Sequence, residues 1–386
     1  MKTIKLFNKI SNTGTDLFDT QKYVLSEDCA NYEGVLVRSA ALHDTEFPCE
    51  LKAIARAGAG VNNIPIEKCS KDGIVVFNTP GANANGVKEL AVAALLLSSR
   101  NIAGGIEWVS SLAGKSDVAK LVEKGKSAFV GPELLGKTLG VVGLGAIGGM
   151  VANVAYSLGM SVVGCDPYIT VNAAWGLSRA VKKANNYDEI YAVSDYITIH
   201  VPSNDETRNM INAETIAKMK DGVRIINLSR GDLVNTVDMK AAVESGKVAS
   251  YVTDFPSEDI IGVKGIIAIP HLGASTPESE DNCAYMAADQ IIDYLENGNI
   301  KNSVNYPNVS QPRTAKYRMV VLHENVPTML AQISTVLGND KVNIDSMINR
   351  SKGNYAVSIL DTDAKLADSV PGDVQKIAGV IRVMVI

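Results

Sequence analysis

The chain has 386 residues and a formal net charge of −5 at pH 7, so it can form two or three domains with cores of their own, and its acidic balance argues against a nucleic-acid surface. The five cysteines are scattered and form no C-x-x-C pair, which disfavours a disulfide framework and a metal site and favours a reducing cytoplasm. The first residues lack the apolar core of a signal peptide and no apolar run approaches the ~18 residues of a membrane span, so we expect a soluble protein.

The first part of the chain alternates short apolar runs with polar segments, a pattern typical of a parallel α/β domain. The predicted strands are 4–7, 34–37, 51–55 and 74–77. Each strand ends in a polar loop, and these loops should converge on one crevice because ligands bind beyond the carboxyl ends of parallel strands. Arg38 and Arg56 are the cations available there. Spacing alone leaves open whether they bind an anion or are ordinary surface arginines.

A strongly apolar helix is predicted at 87–100. Its apolar residues lie nearly all round the helix rather than on one stripe, which indicates burial. We expect this helix to connect two domains. The segment 103–137, rich in Gly, Lys and Ser, is expected to form helical and irregular packing ahead of the next unit.

Residues 138–166 have the pattern of one βαβ unit that binds a dinucleotide. Gly143 follows a buried strand and permits a tight turn, and Gly145 lets backbone N–H groups approach a pyrophosphate at a helix N-terminus. Gly148 allows the helix and strand to pack closely. Asp166 follows the second strand, where a carboxylate holds the ribose 2′-hydroxyl and repels a 2′-phosphate, so NAD is predicted over NADP. The competing interpretation is a parallel α/β core without a nucleotide.

Three further apolar strands end in polar side chains. They are predicted at 196–201, 223–228 and 266–269. The first contains His200 at its end, and the other two are followed by Arg230 and His271. Arg230 can clamp a carboxylate through two parallel hydrogen bonds, and a histidine at 271 can take a hydroxyl proton near neutral pH. A hydrogen bond to Glu258 would orient that ring. Together these groups suit hydride transfer from a 2-hydroxy acid, whereas each taken singly is equally a solvated charge or a satisfied histidine.

The last part of the chain forms a separate pattern. A helix is predicted at 278–295, followed by a polar, proline-containing linker at 301–316. From Tyr317 the predicted elements follow the order βαββαβ, a small ferredoxin-like domain. The predicted fold class is therefore α/β, with two doubly wound, Rossmann-like parallel-sheet domains and a C-terminal ferredoxin-like domain.

Six segments carry a resemblance to a known family. They are VRSA at 37–40, RAGAGVNNI at 56–64, LLGKTLGVVGLGAIG at 134–148, HVPSNDET at 200–207, NLSRGDLV at 227–234 and PHLGAST at 270–276. By these motifs the sequence resembles, essentially end to end, the D-isomer-specific 2-hydroxyacid dehydrogenases, and most closely those that oxidise D-3-phosphoglycerate. The resemblance implies NAD-dependent oxidation of D-3-phosphoglycerate to 3-phosphohydroxypyruvate, the first step of serine biosynthesis, by a cytoplasmic homo-oligomer, either a dimer or a tetramer.

The resemblance also implies roles for individual residues. Arg230 binds the substrate carboxylate, Glu258 pairs with the catalytic histidine, and His271 is the acid–base. The implied cofactor-binding residues are Gly143, Gly145, Ala146, Ile147, Gly148, Asp166, His200, Val201, Pro202, Thr207 and Asp254. The implied substrate-binding residues are Arg38, Ser39, Arg56, Ala59, Gly60 and Asn83, of which the two arginines hold the phosphate.

By the same resemblance the chain has three domains. They are a substrate-binding domain of residues 1–98 and 283–310, an NAD-binding Rossmann domain of 99–282, and an ACT-like regulatory domain of 316–386. ACT domains bind L-serine in many of these enzymes, and the matching motifs point to His323, Asn325 and Asn343.

Two features depart from the family pattern. The loop at 253–259 is about one residue shorter, and Thr328 and Lys341 replace the usual glycines of the C-terminal motifs. The nearest alternative function is a dehydrogenase for another small D-2-hydroxy acid, such as glycerate, glyoxylate or lactate. A non-catalytic NAD(H)-sensing protein is the alternative from a different class. The C-terminal domain could also build an oligomer without binding serine.

Overall fold

In the computed structural model, which describes residues 1–386, the chain leaves its first unit and later returns to it. The first unit combines Met1–Asn83 with Pro277–Ile386, and the second is the intervening segment Ala84–Thr276. The chain thus passes between units at the start of two long helices, whereas the division expected from the sequence falls at 98/99 and 282/283.

The first unit begins with a five-stranded parallel sheet of order β2-β1-β3-β4-β5. Its elements are β1 (Lys2–Phe7), α1 (Asn12–Thr15), β2 (Tyr23–Ser26), β3 (Gly34–Val37), β4 (Ala53–Arg56), α2 (Ile66–Lys71) and β5 (Val75–Phe77). The central strand β3 is fully buried, as its uninterrupted apolar sequence requires. Strand β2 was not predicted from the sequence, because it is an edge strand in which only Tyr23 is buried.

The second unit contains a seven-stranded parallel sheet of order β12-β11-β10-β9-β6-β7-β8. Its strands are β6 (Thr138–Val142), β7 (Ser161–Cys165), β8 (Lys182–Lys183), β9 (Tyr196–Ile199), β10 (Val223–Asn227), β11 (Val248–Thr253) and β12 (Ile266–Ala268). Its helices are α3 (Ala84–Ser99), α4 (Ile102–Ser110), α5 (Val118–Gly125), α6 (Ala146–Ser157), α7 (Val171–Trp175), α8 (Tyr187–Val193), α9 (Ala213–Ala217) and α10 (Thr236–Glu244). The strand order reverses between β9 and β6, which is where such sheets bind ligands.

Helix α3 is only partly buried, against the expectation of burial all round. Val87, Ala91, Ala94 and Leu95 pack into the core, while Leu96 is 43% exposed. The following helices α4 and α5 and the short 3₁₀ turn after them contain no buried residue. No single helix is long and apolar enough to cross a membrane, and only α3 and α4 together, bent by 71° at the break, meet that length and composition.

The returning segment adds a long helix and an antiparallel sheet to the first unit. Its elements are α11 (Pro277–Asn297), β13 (Tyr317–Glu324), α12 (Met329–Asn339), β14 (Ile344–Lys352), β15 (Tyr355–Thr362), α13 (Val370–Gln375) and β16 (Val380–Val385). The four strands pair in the order β14-β15-β13-β16. The predicted βαββαβ order and the α/β fold class are therefore confirmed.

The two faces of this antiparallel sheet have different partners. Met319 and Val321 pack with helices α12 and α13 in one cluster. Val320 and Leu322 point the other way and share a second cluster with Ile291 of α11 and with residues of the parallel sheet. The C-terminal sheet and the five-stranded sheet are thus parts of one hydrophobic core, which the sequence pattern of a separate domain after a linker did not indicate.

Candidate functional site

The turn between β6 and α6 has the backbone of a phosphate cradle. Gly143 has φ +89°, and a Cβ there would lie 2.5 Å from the carbonyl oxygen of His200. A Cβ at Gly148 would overlap the carbonyl oxygen of Gly143. Gly145 caps α6 and faces open space, with no atom within 4 Å of a Cβ. The turn thus leaves room at a helix N-terminus, where a pyrophosphate fits.

Asp166 follows β7 with its carboxylate held beside this turn. Its Oδ2 accepts the N–H of Leu144 and its Oδ1 accepts the N–H of Tyr168, each at 2.9 Å. Each oxygen keeps a further lone pair, so the fixed carboxylate can accept a ribose hydroxyl. Ala146 and Ile147 form the first turn of α6. The residues of this cradle therefore fit a dinucleotide.

His200 lies across the switch point, directly after β9. Its Nε2 lies 2.9 Å from the hydroxyl of Thr198, whereas its buried Nδ1 has no partner. Burial lowers the pKa of His200 to about 4, so the ring is neutral at pH 7. This buried ring therefore offers a neutral polar group rather than a charge.

The loop after His200 is ordered by its own hydrogen bonds. The carbonyl oxygen of Val201 accepts the Ser229 hydroxyl at 2.7 Å, and that of Pro202 accepts the Thr207 hydroxyl at 2.6 Å. The Thr207 hydroxyl also accepts the N–H of Asn204. Thr207 therefore shapes the loop, and direct contact between these residues and a cofactor stays a prediction.

Three polar residues follow three neighbouring strands of the same sheet. Arg230 comes after β10, Asp254 after β11 and His271 after β12. The side-chain amide of Asn227 donates to the carbonyl oxygen of Arg230 at 2.8 Å and fixes that turn. The Arg230 and His271 side chains are exposed, and Asp254 is 1% exposed. The strand ends thus present an accessible guanidinium and an accessible imidazole around a buried acid.

Asp254 is the buried acid that interacts electrostatically with His271 and Arg230. Neither carboxylate oxygen has a hydrogen-bond partner. Burial raises the pKa of Asp254, while the nearby charges of His271 and Arg230 and the N–H groups directed at it from Gly273 and its own backbone oppose that rise. Asp254 is therefore a buried acid whose pKa is raised by burial, with His271 as the strongest opposing influence.

Glu258 does not pair with His271 in this structure, contrary to the hydrogen bond expected from the sequence. Glu258 is exposed, and no hydrogen bond or ion pair joins it to the histidine. The His271 ring instead packs against Phe255, with ring centroids 4.7 Å apart. The shortened loop turns tightly, since the Phe255 N–H donates to the Thr253 hydroxyl. The loop thus places an aromatic ring, rather than the acid, against the imidazole.

The substrate residues expected from the sequence lie in the first unit. A nitrogen of the Arg38 guanidinium lies 2.6 Å from a carboxylate oxygen of Glu280. The Nε of Arg56 donates to the carbonyl oxygen of Arg38 at 3.1 Å, so these residues are neighbours. The N–H of Ser39 donates to the side chain of Asn8.

The other expected substrate residues are loop residues of the same unit. Ala59 and Gly60 follow β4, and Asn83 closes the loop after β5. The carbonyl oxygen of Ala59 accepts the side-chain amide of Asn78 at 2.6 Å. Glu280 was missed by sequence reasoning, although its place in the first turn of the returning helix α11 was a signal that an acid approaches these loops.

Comparison with known proteins agrees with this geometry. Residues 92–273 match the family model described as D-isomer specific 2-hydroxyacid dehydrogenase, NAD binding domain. A hydroxypyruvate reductase of Thermotoga maritima is 38% identical over 254 residues, which cover 64% of this chain and 78% of that protein. The chain belongs to the D-isomer-specific 2-hydroxyacid dehydrogenase family.

Two further proteins similar to this chain carry names that specify a phosphorylated acid as substrate. The D-3-phosphoglycerate dehydrogenase of Synechocystis is 34% identical over 316 residues, 78% of this chain and 54% of that protein. The chain thus spans about half the length of the curated relatives of that kind that it matches. The NAD⁺-bound 3-phosphoglycerate dehydrogenase structure of Entamoeba histolytica is 26% identical with a TM-score of 0.60, over 79% of this chain and 98% of that one. Residues 92–273 are therefore the NAD-binding domain of the chain, and NAD is its cofactor.

The C-terminal residues expected to bind a regulator form hydrogen bonds with other residues of the chain. His323 is buried, with its Nδ1 2.7 Å from the carbonyl oxygen of Glu324 and its Nε2 3.0 Å from the hydroxyl of Ser358. The side chain of Asn325 donates to the carbonyl oxygen of Gly353. A ligand at His323 must therefore displace at least one of these bonds.

The two residues that replace glycines keep a glycine-like backbone. Thr328 has φ +67° and Lys341 has φ +58°, in the left-handed region that side chains rarely adopt. Asn343 lies two residues after Lys341 and is tied to Asp363 through backbone contacts. Both positions thus adopt the left-handed backbone that glycine favours. No three His, Cys, Asp or Glu side chains lie close enough together to hold a metal ion.

Proposed function

We propose that this chain is an NAD-dependent dehydrogenase that oxidises D-3-phosphoglycerate to 3-phosphohydroxypyruvate. The observation that carries the proposal is the placement of Arg230, Asp254 and His271 at the ends of three neighbouring strands, in the same sheet as the dinucleotide cradle. A hydride acceptor, a carboxylate clamp and a proton acceptor are the parts that this oxidation requires. Names of curated relatives support the phosphorylated substrate.

Each side chain has one task in this reaction. Arg230, which is exposed, binds the substrate carboxylate through paired hydrogen bonds. His271 takes the proton of the C2 hydroxyl as the C2 hydride leaves, and bound NAD supplies the acceptor for that hydride. Asp254, buried at the end of the strand between theirs, interacts electrostatically with both groups. The reverse proton transfer serves reduction.

Arg38 and Arg56 supply the positive charge for the substrate's phosphate. Arg38 is half-exposed and its backbone carbonyl fixes the Arg56 side chain, so the two guanidinium groups are held in one region of the first unit. Guanidinium groups suit phosphate because they present several N–H donors to its oxygens. On this basis we infer that the reaction supplies serine biosynthesis. We also infer that it takes place in the cytoplasm, because the five cysteines are free thiols, as a reducing compartment would keep them.

A second candidate is reduction of an unphosphorylated acid such as hydroxypyruvate or glyoxylate. It is favoured by the Arg38–Glu280 ion pair, which already neutralises one of the two cations. The hydroxypyruvate reductase relative is also the more identical of the two curated relatives described above.

Substrate preference is tested by following NADH absorbance with 3-phosphohydroxypyruvate, hydroxypyruvate, glyoxylate and pyruvate. We expect kcat/KM for the phosphorylated acid to exceed the others by about tenfold or more, since binding to two cations distinguishes it. A preference for an unphosphorylated acid transfers the mechanism to the second candidate. No turnover of any acid, with NADH binding intact, favours the NAD(H)-sensing role.

For the C-terminal domain we propose an ACT-like role, with L-serine as the ligand to test. The βαββαβ order and the left-handed Thr328 and Lys341 support the likeness, and the hydrogen bonds of His323 oppose easy ligand entry. Calorimetry with L-serine decides between ligand binding and assembly alone. D-serine is the control for specific binding.

We also propose that the protein is a homo-oligomer through the segment of α4 and α5. These helices have no buried residue, and Ile106, Val109 and Val130 are 63%, 47% and 81% exposed. In this proposal a second copy of the chain covers these exposed apolar residues and forms a symmetric interface. Light scattering of Ile106→Glu against the unchanged chain tests it, and an unaltered oligomer would place the interface elsewhere.

A further inference from the structure

The cation expected to bind the substrate's phosphate already has an anionic partner. Arg38 follows β3, and Glu280 stands in the first turn of α11, 242 residues later in the chain. Their side chains are 41% and 43% exposed, and a guanidinium nitrogen lies 2.6 Å from a carboxylate oxygen. The pair is therefore accessible to solvent and can open without disturbing a core.

Arg56 and Cys283 lie beside the pair. Arg56 donates to the backbone of Arg38. Cys283, one turn after Glu280 on α11, is buried with Arg38, Arg56 and Glu280 as charged neighbours. Its pKa is raised by burial, so the thiol is uncharged at neutral pH. Arg38, Arg56 and Glu280 thus lie close together around an uncharged thiol.

We propose that Glu280 tunes substrate specificity by competing with a substrate's phosphate for Arg38. This proposal rests on the proposed function, in which Arg38 and Arg56 receive a phosphate. A substrate must displace the Glu280 carboxylate to gain Arg38. A phosphate carries close to two negative charges at neutral pH and three acceptor oxygens, so it competes with a single carboxylate, whereas an uncharged hydroxyl does not.

The competition has a definite direction. Any ligand that uses Arg38, including inorganic phosphate, must displace the Glu280 carboxylate and therefore binds more weakly than it would without Glu280. A ligand without a phosphate does not need Arg38, so its binding is unaffected. Glu280 therefore lowers the preference for a phosphorylated acid over an unphosphorylated one.

The experiment compares Glu280→Gln with Glu278→Gln. Glu278 lies in the same first turn of α11, is exposed and is joined to no cation, so its variant removes the same charge without opening the Arg38 pair. KM is measured for 3-phosphohydroxypyruvate and for hydroxypyruvate. We expect Glu280→Gln to lower KM for the phosphorylated acid about threefold, the scale of a half-exposed ion pair, and to leave KM for hydroxypyruvate unchanged. Glu278→Gln should change neither.

Calorimetry with inorganic phosphate gives a second readout that does not depend on turnover. Glu280→Gln should bind phosphate more tightly by a similar factor, and this gain should vanish in the Arg38→Gln background, because Glu280 acts through Arg38. If no acid is turned over, the proposed function fails while this measurement still stands. Weaker or unchanged phosphate binding in Glu280→Gln, or an equal effect of Glu278→Gln, overturns the proposal.

Discussion

Arg318 and Asp361 form a doubly hydrogen-bonded ion pair that is closed to solvent. The Nε of Arg318 lies 2.6 Å from Oδ1 of Asp361 and its Nη2 lies 2.8 Å from Oδ2, with both side chains 0% exposed. Arg318 also donates to the carbonyl oxygens of Asn297, Gln311 and Pro312. The pair thus joins β13 and β15 to the end of α11 and to the proline-containing linker that connects α11 to β13. These hydrogen bonds explain why the linker is held in place.

Breaking this pair should destabilise the first unit strongly. Arg318→Leu leaves Asp361 buried without its counterion, and Asp361→Asn does the converse, so each should lower the free energy of unfolding by about 3–5 kcal/mol. Urea denaturation measures the loss. The double variant Arg318→Met, Asp361→Leu should lose less than the sum, because no unpaired charge remains. Equal, additive losses below about 1 kcal/mol would show that the pair contributes little.

The same pair predicts a dependence of stability on pH. Burial alone would raise the pKa of Asp361, but hydrogen bonds from Arg318, Thr314 and Gln311 outweigh it and lower the pKa to about 2. An acid whose pKa is depressed in the folded state stabilises above its unfolded pKa and loses that contribution as pH falls through the folded pKa. Stability should therefore fall between about pH 4 and pH 2, and this part of the fall should be absent in Asp361→Asn.

Glycine at position 328 or 341 should stabilise the chain. Thr328 and Lys341 adopt positive φ, and a left-handed residue with a side chain costs about 1–2 kcal/mol, partly offset by the greater unfolded-state freedom of glycine. We expect a net gain of about 0.5–1 kcal/mol for each of Thr328→Gly and Lys341→Gly, measured by urea denaturation. Thr335→Gly within α12 is the control and should lose stability, by roughly 0.3 kcal/mol from helix propensity. A loss at 328 comparable to that at 335 would contradict the strain.

Asp254→Asn should raise stability and lower activity. Burial raises the pKa of Asp254, so its ionisation opposes folding, and stability falls as pH rises through the folded pKa. Above that pKa the neutral asparagine variant should therefore unfold at a higher temperature than the unchanged chain. Turnover should fall because the electrostatic interaction of Asp254 with His271 and Arg230 is lost. The matched control is the exposed Asp259→Asn, which should change neither thermal unfolding nor the pH profile of kcat.

Removal of the carboxylate clamp and of the base should have different kinetic signatures. Arg230→Ala should lower kcat/KM by about 10²-fold or more, since a charge-assisted pair to the substrate is lost, and Arg230→Lys should recover only part of it. His271→Asn should abolish turnover and leave NADH binding, followed by fluorescence, intact. A fall below about threefold for Arg230→Ala would remove that residue from its role, and retained turnover in His271→Asn would move the base elsewhere.

Local patterns were sufficient for much of this fold. The run of apolar residues before Gly143, the spacing to Gly148 and the acid at Asp166 predict the βαβ unit, because each residue type meets a backbone or steric demand at its own position. The order of the C-terminal elements was likewise visible, since periodicity changes from strand to helix along the chain. Edge strand β2 was invisible because a half-exposed strand lacks an apolar run.

Contacts between distant segments were beyond the reach of such patterns. The sequence by itself determined the α/β class, the dinucleotide cradle and the polar residues that close β10 and β12, because these follow from propensity and burial within short stretches. Only the tertiary structure decided that Asp254 is buried beside the charges of His271 and Arg230, that Glu280 occupies Arg38, and that Arg318 binds Asp361. Each of these contacts depends on how strands and helices pack. Hydrogen bonds and ion pairs form only when the two groups are in direct contact, so a register or loop difference of one residue selects a different partner.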